Sequence, residues 1–148
     1  MKKLGLIGSL VIAVVIVIAI VMAGQMGETS HAYAKGKVVL ADELREAAKG
    51  IDTLFIIASG SDRPMPLGAF RQKLSGNLAG DIYEFVLTKE NMQSMMGDAP
   101  FPQQFKLKAR LDKDGSAGMD QPGDLVGDVF PVKLGQEGVE IRINRLIN

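Results

Sequence analysis

The sequence predicts an all-β domain, an antiparallel β-sandwich, behind an apolar N-terminal segment. Three observations point there. Residues 4–24 form a run without a single charge. Two segments, Phe105–Leu111 and Val139–Asn144, alternate apolar and polar residues strictly. Glycine, proline and aspartate divide the rest into pieces of strand length.

Lys2 and Lys3 precede the apolar run. Twenty helical residues span roughly 30 Å, the thickness of a bilayer hydrocarbon core. That is longer than the apolar stretch of a secretory signal. Against a retained anchor, His31-Ala32-Tyr33-Ala34 contains an A-x-A site of the kind signal peptidase cleaves, after Ala34. Residues 1–24 are therefore expected to be a transmembrane anchor or an export signal. Either places the domain on the periplasmic side of the inner membrane, with the lysines inside. The small and polar segment 25–36 is expected to be a linker, and 37–148 the folded domain.

Within that domain Lys37–Leu40 is the first expected strand. The following ADELREAAKG has good helix formers and closes on Gly50, which predicts one or two helical turns. Thr53–Ala58 is a continuous apolar run with β-branched residues, as in a buried strand. Pro64 and Pro66 favour an extended or edge segment. Ile82–Leu87 is another strand. In Phe105–Leu111, Phe105, Leu107, Ala109 and Leu111 are expected inward and Lys106, Lys108 and Arg110 outward. Asp112-Lys113-Asp114-Gly115 then offers a tight hairpin turn. In Val139–Asn144, Val139, Ile141 and Ile143 face inward. Six or seven short strands with such punctuation make a sandwich.

Composition excludes several function classes. The 17 basic and 17 acidic residues balance, so the basic excess that phosphate neutralisation needs is missing and nucleic acid is not an expected partner. There is no cysteine, which removes disulfides, thiolate metal sites and covalent haem attachment through this chain. The single histidine, His31, lies in the expected linker, so neither a Ser-His-Asp triad nor a histidine-bound metal centre can be built in the domain. Carboxylate pairs such as Glu43/Glu46 and Asp124/Asp128 are explained by solvated faces. Asp112, Asp114, Ser116 and Asp120 resemble a calcium loop, but the glycine and glutamate that an EF-hand requires are replaced by Ala117 and Gly123. No enzyme and no cofactor is expected. The methionines Met92, Met95 and Met96 cluster in KENMQSMMGD. Thioethers are soft ligands suited to Cu(I), and methionine is equally a filler of cores and contact surfaces. An extracytoplasmic Cu(I)-binding protein is thus the alternative functional reading.

Two stretches carry a resemblance. Leu54-Phe55-Ile56-Ile57-Ala58 leading to Pro64-Met65-Pro66-Leu67, and Gln121-Pro122-Gly123-Asp124-Leu125 with Gly127, are similar to the C-terminal periplasmic module of the CycH-type (CcmI-type) cytochrome c biogenesis proteins. The resemblance extends over 36–147. It implies an immunoglobulin-like sandwich, and a role beside the haem-ligation machinery or with apocytochrome c. The helical repeats with which full-length members grip apocytochrome have no counterpart in this sequence, so that grip is not carried over. What the resemblance leaves is a membrane-anchored accessory module for cytochrome c biogenesis or multihaem cytochrome assembly, acting by protein contacts. Pro64, Met65, Pro66 and Leu67 are the candidate docking residues, because two prolines around Met65 would rigidify an apolar loop and lower the entropy cost of binding.

Overall fold

The computed structural model describes residues 31–61, 65–97 and 99–148. The apolar N-terminal run, the first part of the expected linker, and Pro64 lie outside the described residues. Among the described residues no helix is long and apolar enough to cross a membrane.

The strands are β1 (Ala34–Leu40), β2 (Thr53–Gly60), β3 (Pro66–Lys73), β4 (Gly80–Leu87), β5 (Gln93–Ser94), β6 (Gln104–Asp112), β7 (Leu125–Lys133), β8 (Gln136–Ile143) and β9 (Arg145–Leu146). They form two sheets. One has the order β4-β1-β8, the other β5-β3-β2-β6-β7-β9. Leu40, Phe85, Leu87, Ile141 and Ile143 from the first sheet meet Leu54, Ile56, Phe105, Leu107, Leu111 and Leu125 from the second in one buried cluster. Apolar side chains at every second position make this possible, because both sheets turn one pleated face to the other. The expected helical turns reduce to a 3₁₀ turn at Asp42–Leu44 followed by turns up to Gly50, whose φ of 81° ends the segment.

The structure corrects the sequence reading in six places, one of them Asp124, expected on a solvated face and only 2% exposed. The domain starts earlier than residue 37. Tyr33 stacks on Phe101 at 4.2 Å and its N–H donates to Leu87 O at 2.7 Å, while Ala34 is fully buried. A cut after Ala34 would therefore have to precede the folding of β1. The sandwich is not wholly antiparallel, since β1 pairs with β8 in parallel, Val38 opposite Ile141. The tight hairpin after β6 is instead a loop over 113–124 that joins β6 to its antiparallel neighbour β7. Strand β7 itself escaped prediction, because Gly127 and Pro131 lie inside it. Arg110 points outward from its strand but is buried, as the next subsection describes.

The two sheets touch backbone to backbone along β7 and β8. A Cβ on Gly127 would lie 1.8 Å from Arg142 O, and Asn144 N–H donates to Val126 O at 3.1 Å. This seam closes one side of the sandwich.

Candidate functional site

The two candidate segments of the sequence, PMPL and the methionine loop, come together in space. Strand β5 pairs with β3 through Gly68 opposite Ser94 and Ala69 opposite Gln93. One residue further on, Met95 N–H donates to Leu67 O at 3.0 Å. The result is a surface groove of about 420 Å³ lined by Met65, Pro66 and Leu67, by Met95 and Met96, and by Pro100 and Pro102. Among the described residues its lining contains no charged side chain. Met65 is 69% exposed and Met95 58% exposed. A smaller pocket of about 150 Å³ adjoins it, sharing Leu67, Met96, Ala99 and Pro100, and is closed by Tyr33, Met92 and Phe101.

The methionines predicted as a set are thereby divided. Met92 is a core residue, packed over Gly68, whereas Met95 stands in solvent and Met96 is half-buried between the two pockets. Leu67 packs against the core, whereas Met65 and Pro66, which opens β3, are exposed.

A polar cluster lies on the outer face of the larger sheet, next to the groove. Arg110 is 1% exposed there. Its guanidinium sits over the Phe55 ring at 5.1 Å, and its Nη1 donates to Gly118 O at 2.7 Å and to Asp120 Oδ1 at 3.2 Å. Nε is 2.8 Å from Asp112 Oδ2, near enough for an ion pair but not aligned as a hydrogen bond. Asp120 also pairs with Lys108. Loop 113–124 folds back over the sheet on these contacts, and that is why a residue on the solvent side of an alternating strand is buried. Burial raises the Asp112 carboxyl above its ordinary range, a hydrogen bond shared with Asp114 and the charge of Asp124 add to this, and Arg110 opposes it. For Asp120 burial also pulls upward, but the bonds from Lys108 and Arg110 outweigh it and hold the carboxyl low.

A carboxylate with a lowered folded-state pKa stabilises the fold above its unfolded value, near 3.9, and that stability fades as pH falls through the folded value. Asp120→Asn is therefore expected to be less stable than the native chain at pH 7 and indistinguishable from it well below pH 3.9. Urea midpoints measured across that range check this, and a constant difference down to the acid end would contradict it.

The second stretch that carries the resemblance, QPGDL, has a structural explanation. Asp124 N–H donates to Gln121 O at 3.0 Å, with Pro122 and a positive-φ Gly123 (97°) between them, the signature of a type II turn. The Asp124 carboxylate accepts from Lys113 N–H at 3.0 Å and Gln121 N–H at 2.9 Å, tying both ends of the loop. Leu125 is in the core and Gly127 forms the seam.

With sandwich, loop and groove described, the comparison with known proteins is decisive. The model of the cytochrome c-type biogenesis protein H Ig-like domain matches residues 34–144. The chain belongs to this family. The matched span of this CycH Ig-like domain begins at the first residue of β1 and ends just after β8, so it takes in both sheets and the groove. No curated protein and no solved structure shows significant similarity to the chain. Sequence reasoning found both halves of the groove in this CycH Ig-like domain but not their union. The two-residue strand β5 that joins them is too short to leave a periodic signal. It also missed Arg110, for which the sequence does offer a cue, three aspartates at 112, 120 and 124 following one arginine.

Proposed function

We propose that this chain is an accessory module of cytochrome c biogenesis that works on the periplasmic side of the inner membrane, held there by its N-terminal segment, and acts by protein contact rather than catalysis. The observation that carries this reading is a groove whose described lining is uncharged, in a domain of the CycH Ig-like family, with two methionines more than half exposed among its lining residues. Methionine side chains adapt to varied partners, and clustered exposed apolar residues mark interaction surfaces. The groove walls are fixed by β5 pairing and by prolines, so little ordering entropy is lost on docking. Components of the haem-ligation machinery or apocytochrome c are the partners this reading requires.

The test is affinity capture of the tagged full chain from its native membranes, with the eluate identified by mass spectrometry. Haem-ligation components or c-type cytochromes are expected in it. Met65→Ala together with Met95→Ala removes exposed side chains only, so the fold is expected to hold within about 0.5 kcal/mol. Recovery of those partners is expected to fall roughly fivefold or more, the effect of losing about 1 kcal/mol of contact. Undiminished recovery would move the interface elsewhere, and an eluate without cytochrome-biogenesis proteins would remove the reading.

A further inference from the structure

We propose that Met65, Met95 and Met96 together form a thioether site for a soft monovalent cation, Cu(I). This set differs from the one the sequence suggests. Met92 is buried and lines only the smaller adjoining pocket, and Met65, some thirty positions earlier in the chain, takes its place at the groove.

The chemistry of the lining selects the ion. Thioether sulfur is a soft donor that favours Cu(I). Among the described residues the groove offers no imidazole, no thiolate and no carboxylate; apart from backbone the other polar side chains described there are those of Ser61 and Gln104. A hard cation such as calcium needs several oxygen ligands, carboxylates among them. Zinc needs nitrogen, sulfur anion or carboxylate donors. Neither is provided for among the described residues. Cu(I) is stable with neutral sulfur ligands alone, and an uncharged site suits an ion that carries only one charge.

The three side chains also come from backbone that is already held. Met95 N–H donates to Leu67 O, two residues from Met65. Met96 N–H donates to Ser94 Oγ at 3.3 Å, and Ser94 is paired with Gly68 of β3. Pro66, adjacent to Met65, has its φ fixed by the ring. Two chain segments are thus registered against each other before any ion arrives, leaving the flexible methionine side chains to close on it. Exposure of Met65 and Met95 is accounted for in the same way, since a ligand must remain reachable by its ion.

The proposal does not depend on the protein-contact reading, and substitution by leucine separates the two. Leucine keeps the apolar bulk that a protein partner would touch and removes only the sulfur. The experiment is an anaerobic titration of the purified full chain with Cu(I), in competition with a colorimetric Cu(I) chelator. One ion per chain is expected. Met65→Leu, Met95→Leu and Met96→Leu are each expected to weaken binding by roughly tenfold or more, one lost ligand being equivalent to at least 1.4 kcal/mol. Met92→Leu in the core and Met119→Leu, which is exposed but outside this groove, are expected to stay within about twofold of the native chain, a difference of under half a kcal/mol. X-ray absorption at the copper edge is expected to show sulfur neighbours in the native complex and fewer in the variants. No binding against the chelator, or equal weakening by Met119→Leu and the groove variants, would overturn the site. Partner capture that survives the three leucine variants while copper binding is lost would uphold both readings. Partner capture lost with copper binding unchanged would overturn this one.

Discussion

Arg110→Met is expected to destabilise the domain by about 3–5 kcal/mol, as the removal of one partner from a buried ion cluster does. Methionine preserves most of the unbranched stem and loses the guanidinium that lies over Phe55, so the loss would come chiefly from the carboxylates left behind. Asp112 and Asp124 have side chains only 2% exposed, and Arg110 is the cation beside both, at 2.8 Å and 4.0 Å. The pH dependence of the deficit identifies its cause. Asp112 has a folded pKa raised by burial, so the folded state binds its proton more readily than the unfolded chain, and stability falls as pH rises from about 3.9 through the folded value. Without Arg110 that window widens, and the deficit of Arg110→Met is expected to be clearly smaller at pH 5 than at pH 8. Adding Asp112→Asn, which keeps the oxygen that accepts from Ser116 N–H at 3.2 Å, is expected to restore part of the loss. Urea unfolding of the single and double variants at the two pH values measures both effects. A deficit that does not change with pH and is not relieved by Asp112→Asn would assign the cost to lost packing on Phe55.

The same residue shows where sequence patterning reaches its limit. Alternation in FKLKARL assigns Arg110 to the outer face of its strand, and that assignment is right for the direction of the side chain: Phe55, which it covers, lies on the same outer face. It fails on burial, because a period of two cannot show that loop 113–124 comes back across the sheet. Inward positions were more legible. Val139, Ile141 and Ile143 are all buried as the alternation predicts, and Thr53–Ala58 is almost wholly buried. Strand β7 was hidden because Gly127 and Pro131 weaken strand signals locally, while its pairing with β6 through seven residue pairs outweighs that preference. The parallel pairing of β1 with β8 joins the two ends of the domain, and no local pattern encodes a contact of that sequence separation. For the groove, both walls were visible as composition, a proline-bracketed methionine and a methionine cluster. Their meeting rests on two residue pairs and a backbone hydrogen bond, which any side chain could make.

Gly127→Ala is expected to cost about 3 kcal/mol or more, at the upper end of what overpacking does. The reason is space rather than backbone freedom, for Gly127 lies within β7 in a conformation open to other residues. An added Cβ would sit 1.8 Å from Arg142 O and 2.8 Å from Ile143 Cα, and both are backbone atoms of the opposite sheet. No rotamer relieves such an overlap. Carbon and oxygen normally stay more than 3 Å apart, so β7 and β8 would have to separate by over an ångström. That movement would draw Asn144 N–H away from Val126 O and open the packing of Leu125, Ile141 and Ile143, which are all fully buried. Two measurements check the expectation on the full chain: the urea midpoint, and amide exchange of Asn144, whose protection is expected to fall further than that of Val38 in the middle of the smaller sheet. A Gly127→Ala protein with the native midpoint would mean that the seam is wider than described. This outcome also bears on the motif. Gln121 to Asp124 turn the chain, Leu125 fills the core and Gly127 lets the sheets touch, so each residue of QPGDLxG is accounted for by folding alone. Variants there are expected to lose partner capture only in proportion to lost fold, whereas Met65 and Met95, which the fold does not need, are expected to lose capture with stability intact. Those outcomes together would assign the functional part of the family pattern to the groove and leave the later motif the task of holding the sandwich.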